Sequence, residues 1–274
     1  MRLVVNNEFF SSELRGEHVA QALGVPCQMK NIHGAERGET IVFVKDADHR
    51  LVQQAKDMGC RIAFDILDLA CYGDRTCSIR ELVDVLIVPN RACVTFYRNI
   101  FPNAEYCVIP HQWDSRITGE AQQDSFRAAY IGKGFNISEH YLLDVEKVFA
   151  STKQLEAAPC FNMHMALNRR LKLYMLLKPA TKVATAAAVL ANVLAYPDAS
   201  AIELLGEDYP YLVRGNVSDA LEDAKADFGG SRWNDGIDRM REVRERTSMA
   251  SIASLYRKLD AGDGLVRAPI EEAA

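Results

Sequence analysis

Along the first hundred residues, apolar positions fall in short, nearly unbroken runs separated by stretches of helical periodicity. RLVV (2–5), IVFVK (41–45), RIAFDIL (61–67), DVLIVP (84–89) and YCVIP (106–110) read as strands. Glu17–Leu23, His49–Met58 and Ala92–Ile100 read as helices between them, with Gly59 as a helix stop. A strand that is apolar at every position needs cover on both faces. Such runs alternating with helices predict βαβ units on a parallel sheet.

The pattern then restarts. DSRITGEAQQD (114–124) is a polar linker, and RAAYIG (127–132) opens a second series as a strand ending in glycine. A helix around His140–Ala150, a strand at Phe161–Leu167, a helix from Thr181 to about Leu190 and a strand at Asn192–Tyr196 follow. A short helix Ser200–Leu205, a strand Tyr209–Val213 and a helix Ser218–Asp227 complete the series. Residues 236–259 predict one closing helix, with Ile237, Met240, Val243, Ile252, Leu255, Tyr256 and Leu259 on one face. The expected organisation is an α/β chain of two Rossmann-like domains with parallel sheets, residues 1–112 and 113–235, plus a C-terminal helix and tail over 236–274.

Composition narrows the function classes. The 274 residues are 49% hydrophobic and 25% charged, the balance of a folded protein. A net charge of −5 argues against nucleic acid as a partner, which calls for a basic face. The longest uncharged stretch, between Lys182 and Asp198, is too short and too polar to span a bilayer. Seven cysteines form no CxxC pair, so the chain is expected to be reduced, cytoplasmic and without a bound metal.

The chemistry concentrates in KPATKVATAAAVLANVLAYPDASAIELLGEDYPYLV (178–213). Lys178 and Lys182 flank the start of a small-residue helix, where ammonium groups and helix amides suit a phosphate. The Ser200 helix follows directly on the next strand, at the carboxyl end where open α/β sheets bind ligands. Glu203, one turn into it, is placed to accept hydrogen bonds from ribose hydroxyls.

This segment resembles the donor-binding half of GT-B glycosyltransferases, in which a KP-x-TK…A…NV…E-L run follows a strand of the C-terminal domain. SSELRGEHVAQALG (11–24), RIAFDILD (61–68), DVLIVPN (84–90) and CVIPHQWD (107–114) are similar, in order, to motifs of the N-terminal domain of such enzymes. The likeness spans about residues 1–215. It implies transfer of a sugar from a nucleoside-diphosphate donor to a glycan or lipid-linked acceptor, with no cofactor and no metal. Lys178 and Lys182 would then neutralise the diphosphate. Thr181 and Ser200 would bind phosphate oxygens, Glu203 the ribose, and Gly132 and Gly134 would let the ligand approach the first turn of the donor domain. Two positions depart from the pattern: the Glu-x7-Glu of retaining members is absent, with Thr185 near its second glutamate, and Leu190 stands where a glycine is usual.

For the remaining roles several residues compete. His111 ends a strand at the linker, where a histidine could serve as a base, so it is a candidate for that role; Asp65 and Asp68, at another strand end, are acceptor-side alternatives. Phe10, Ser11, Ser12 and Arg15 follow the first strand on the acceptor side. His164 is a second histidine candidate near the donor strand. Asp46 and Asp48, directly after an apolar strand, would hold a divalent ion if the chain were a GT-A-type transferase; either can equally cap the next helix. A non-catalytic nucleotide-sugar-binding module is the third reading. NRRLKLYMLLK (168–178) and RMREVRER (239–246) are candidates for peripheral contact with an anionic membrane, the second also reading as an ion-paired helix face. Apolar residues on the last helix would permit a homo-oligomer.

Overall fold

The computed structural model describes residues 1–6, 10–67, 78–133, 137, 145–148, 155–167 and 177–266. The chain forms two compact units. Unit 1 is Met1–Pro110, Leu177–Pro179 and Met249–Ala274; unit 2 is His111–Leu176 and Ala180–Ser248.

Unit 1 is built on a parallel sheet of β1 (Arg2–Val5), β2 (Cys27–Met29), β3 (Thr40–Val44), β4 (Arg61–Asp65), β5 (Val85–Val88) and β6 (Glu105–Val108), in the order β2-β1-β3-β4-β5-β6. After β1 the chain runs through α1 (Phe10–Ser12) and a π-helical stretch, Glu13–His18, into α2 (Val19–Leu23). Helices α3 (His49–Asp57) and α4 (Arg91–Tyr97) follow β3 and β5. Side chains alternate across each strand. Leu3, Val5, Val42, Val44, Ala63, Val85 and Ile87 share one buried cluster with Val19 and Ala20 of α2. On the opposite face Phe64 stacks on Phe101, which meets Tyr97 of α4. Both faces are covered, which explains the unbroken apolar runs.

Unit 2 carries a parallel sheet of β7 (Ala128–Ile131), β8 (Glu146–Val148), β9 (Met163–Ala166) and β10 (Asn192–Ala195), in the order β10-β9-β7-β8. Helices α5 (Thr181–Ala188), α6 (Ala199–Leu205), α7 (Val217–Ala226) and α8 (Ser231–Arg246) complete it. Val183, Ala186 and Ala187 of α5 share a core with Trp233, Ile237, Met240 and Val243 of α8. Buried amides tie the starts of two strands to the flanking chain. Asn162 donates to Gln122 O and Ser125 O, and Asn192 donates to Trp233 O and accepts from Tyr209 OH.

Several expectations are corrected. The helix predicted around His140–Ala150 contains strand β8 at Glu146–Val148, an edge strand whose charged residues face solvent. Tyr209–Val213 contributes only a single parallel bridge, Ala195 to Leu212. The single closing helix is two. Helix α8 ends at Thr247, whose hydroxyl donates to Val243 O, and α9 (Met249–Ala261) belongs to unit 1. There Ile252, Tyr256 and Leu259 join α2 on the sheet.

Two helix ends make an instructive pair. At α3, Gly59 N donates to Lys56 O and Cys60 N to Ala55 O, with Gly59 at φ +79°. This is a Schellman motif, whose left-handed position favours glycine. At α5 the same bonds recur, Leu190 N to Ala187 O and Ala191 N to Ala186 O, but the left-handed residue is Leu190 at φ +54°. The missing glycine at Leu190 is thus a substitution within an unchanged turn, at a steric cost of about 1 kcal/mol.

Candidate functional site

In an open parallel sheet, ligands bind at the carboxyl ends of adjacent strands whose connections leave in opposite directions. In unit 2 those strands are β7, which leads to β8, and β9, which leads to β10. Lys182, the second residue of α5, stands at the carboxyl end of β7. Its ammonium donates to Ile131 O at 3.1 Å and lies 3.6 Å from the centroid of the Tyr130 ring. Gly132 makes this possible. A Cβ there would come to 2.5 Å from Lys182 Nζ and 2.9 Å from Tyr130 Oη. Tyr130 is fully buried, and its hydroxyl donates to Lys133 O at 2.8 Å. Burial pushes its phenol up to about 12, so the ring stays neutral.

Gly132 and Lys182, proposed separately from sequence, therefore meet at one point; Gly134 lies outside the described residues. Thr181 opens α5, and its carbonyl accepts from Thr185 Oγ1. Lys178 is half-buried and belongs to unit 1, whereas Lys182 belongs to unit 2. Ser200 is buried in α6, and the Glu203 carbonyl accepts from Arg246. At the start of α6 the Asp198 carboxylate accepts from Ala201 N at 2.8 Å. A protein carboxylate thus already caps the helix end at which Ser200 is expected to meet phosphate.

In unit 1 the corresponding strands are β1 and β3. Their ends carry Asn6, whose side-chain amide donates to Asp46 O at 2.9 Å, and Lys45, whose ammonium donates to Ser11 Oγ at 2.6 Å. Lys45 is held at φ +66°, an uncommon conformation for a long side chain. Of the other acceptor-side candidates, Ser12 is buried, and the side chain of Phe10 lies outside the described residues, as does Asp68.

Arg15 and Asp65 have a different role from the one expected. Both are 1% exposed. Arg15 Nε donates to Asp65 Oδ2 at 2.7 Å, and its terminal nitrogens donate to Pro110 O and Ile109 O. Tyr256 of α9 donates its hydroxyl to the same carboxylate oxygen. Burial is the largest single influence and lowers the guanidinium pKa, but Asp65 and Tyr256 together turn the net shift upward. Burial also raises the Tyr256 phenol well above its usual value. The cluster pins α9 and the end of β6 to β4. Enclosed in this way, Asp65 is a structural anion and not an acceptor-side base, and Arg15 is its counter-ion and not a substrate contact.

His111 is buried, with Nδ1 donating to Gln112 O at 2.8 Å; in the neutral ring this leaves Nε2 as the basic nitrogen. His164 is buried in β9 with Nε2 donating to Ala158 O, and burial lowers its pKa to about 4. It is a neutral core residue at ordinary pH. Asp48 is the N-cap of α3, accepting from Arg50 N at 2.8 Å. Two parallel-sheet units and this capping role replace the GT-A reading of Asp46 and Asp48. Among the described residues no cluster of three metal-ligating side chains occurs. On α8, Arg239 pairs with Asp208 and Glu242, Arg241 with Asp238 and Arg244 with Glu120, so the RMREVRER stretch is an ion-paired face. The other basic stretch lies outside the described residues up to residue 176. No described helix is long and apolar enough to cross a membrane.

Tyr130, Asn6 and Lys45 were not singled out from the sequence. Tyr130 is hidden in an apolar strand, and its only signal is the glycine two residues on. Asn6 and Lys45 were legible only as polar residues at the ends of two strands whose adjacency the sequence does not state.

Comparison with family models finds no match, and comparison with curated proteins finds none. Solved structures do match. Anabaena Alr3699/HepE in complex with UDP-glucose superposes with a TM-score of 0.63 at 9% identity, over 95% of this chain and 100% of that one. AviGT4, a glycosyltransferase involved in Avilamycin A biosynthesis, gives 0.58 at 11% identity, over 96% and 98%. A chain of the GtfA/B complex gives 0.53 at 9%; this chain is covered over 83% and spans 58% of that one. The two parallel sheets with interleaved helices are the fold of these GT-B glycosyltransferase structures.

Proposed function

We propose that the chain is a glycosyltransferase that takes its sugar from a nucleoside-diphosphate donor bound on unit 2. The observation that carries this reading is the Lys182 ammonium, set over Gly132 at the carboxyl end of β7. As the bond from sugar to diphosphate breaks, negative charge grows on the leaving phosphate. A pre-positioned ammonium stabilises that charge more than it stabilises the intact donor. The turn at Gly132 leaves backbone, not side chain, at the point of approach. Thr181, Ser200, Glu203 and Lys178 are further donor-side candidates. The acceptor, a glycan or a lipid-linked one, belongs with Ser11 and Lys45 on unit 1, and His111 is the candidate base through Nε2. The leaving charge is met by protein cations without a metal, so transfer should survive EDTA.

UDP-glucose, the ligand of the Anabaena structure, is the first donor to test. Calorimetry with UDP-, GDP- and dTDP-sugars, followed by donor hydrolysis and transfer assays, decides the matter. Micromolar binding with turnover is the expected result, and Lys182→Ala should abolish most of both. Binding to none of the three would overturn the proposal. Binding with neither hydrolysis nor transfer would make the chain a nucleotide-sugar-binding module.

A further inference from the structure

We infer that Tyr130 is a positioning residue for the Lys182 ammonium, holding it at the carboxyl end of β7; this rests on the reading that Lys182 meets the donor diphosphate. A lysine has four rotatable side-chain bonds and loses much entropy when its end is fixed. Here three features fix it. The Tyr130 ring offers its face at 3.6 Å, Ile131 O accepts at 3.1 Å, and the bare Cα of Gly132 leaves the space the ammonium fills. The ring face and the carbonyl are both neutral. They attract a cation through a quadrupole and a dipole. The ring is itself rigid, being fully buried in β7 with its hydroxyl tied to Lys133 O. Gly132 therefore has a second duty besides admitting the ligand: any side chain there would displace the ammonium.

The test compares affinity for UDP with affinity for uridine, or for the diphosphate and nucleoside of whichever base the donor screen selects. Only the diphosphate reports on Lys182. Lys182→Ala should weaken UDP about ten- to hundredfold and leave uridine unchanged. Tyr130→Phe keeps the ring face and should stay within about twofold of the parent, whereas Tyr130→Leu should lose about five- to thirtyfold for UDP alone. Gly132→Ala, which leaves the ring in the core and spares the fold from a cavity, should weaken UDP in the same selective way. In the Lys182→Ala background Tyr130→Leu should have no further effect. If Lys182→Ala changes nothing, the donor reading itself fails. If Lys182→Ala weakens UDP while Tyr130→Leu and Gly132→Ala do not, the role of Tyr130 is overturned. Equal losses in Tyr130→Phe and Tyr130→Leu would also overturn it, since the hydroxyl and not the ring face would then matter.

Discussion

Replacing Asp65 by asparagine keeps its shape and removes its charge, and the expected result is a large loss of stability in unit 1. Arg15 would remain 1% exposed and lose the Asp65 charge beside it. Breaking a buried ion pair from one side costs about 3–5 kcal/mol. The carbonyls of Ile109 and Pro110 still accept from Arg15, and the asparagine oxygen can accept from Nε, so Asp65→Asn should fall near the lower end and Asp65→Ala near the upper. Against a total stability of about 5–15 kcal/mol, either change is severe. Urea unfolding followed by far-ultraviolet circular dichroism measures it. Trp113 and Trp233 both lie in unit 2, so their fluorescence is an internal control and should keep a midpoint closer to that of the parent protein. The paired change Arg15→Met with Asp65→Leu should recover at least half of the loss, because a hydrophobic pair leaves no buried charge. A stability change under about 0.5 kcal/mol for Asp65→Asn would refute the reasoning. So would a folded Asp65→Asn protein that has lost transfer activity per folded molecule, which would return Asp65 to the acceptor chemistry.

Three further outcomes are expected. His164 has a folded pKa of about 4 against 6.5 for the free side chain, so the unfolded chain binds its proton first as pH falls. Its contribution is complete above pH 6.5 and is lost between 6.5 and 4, about 2 kcal/mol by pH 5; His164→Gln should flatten that part of the stability profile, and an unchanged slope would reject the assignment. Leu190→Gly should relieve the left-handed strain and raise the melting temperature, by up to about 1 kcal/mol of stability, less what the half-buried leucine side chain contributes; a clear drop would show that its packing outweighs the strain. Asp198→Ala should cost about 0.5–2 kcal/mol through loss of the α6 cap, read by thermal unfolding, and no change would mean that the cap is replaced by water.

The central strands were legible because they are buried on both faces and their apolar runs cannot be mistaken for a loop. Strands β2 and β8 were missed for the opposite reason. Each is three residues at a sheet edge, and at β8 both Glu146 and Lys147 are exposed. The break between α8 and α9 was passed over because no glycine or proline intervenes. The periodicity does carry a mark of it: the nine residues from Val243 to Ile252 make about two and a half helical turns, so Ile252 and Tyr256 fall out of phase with Ile237, Met240 and Val243. At the site, Lys182 and Gly132 were readable from local motifs. Arg15 and Asp65 were readable as polar residues near strand ends, but not as partners of each other. Their pairing spans 50 residues, and the third member, Tyr256, is 191 residues beyond Asp65.

That last separation bears on how the protein is made. A ribosome adding about 5–20 residues per second needs roughly 10 to 40 seconds to travel from Asp65 to Tyr256. From the completion of β6 at Val108 onward the first unit has all the strands of its sheet but lacks α9. Val19, Ala20, Val42 and Ala63 are without the cover of Ile252, Tyr256 and Leu259, and the Asp65 carboxylate is without one of its two donors. Unit 2 meanwhile emerges whole up to Ser248. Synthesis and folding therefore run in different orders: the unit begun first is finished last, and the nascent chain presents a sticky sheet face for most of its time on the ribosome.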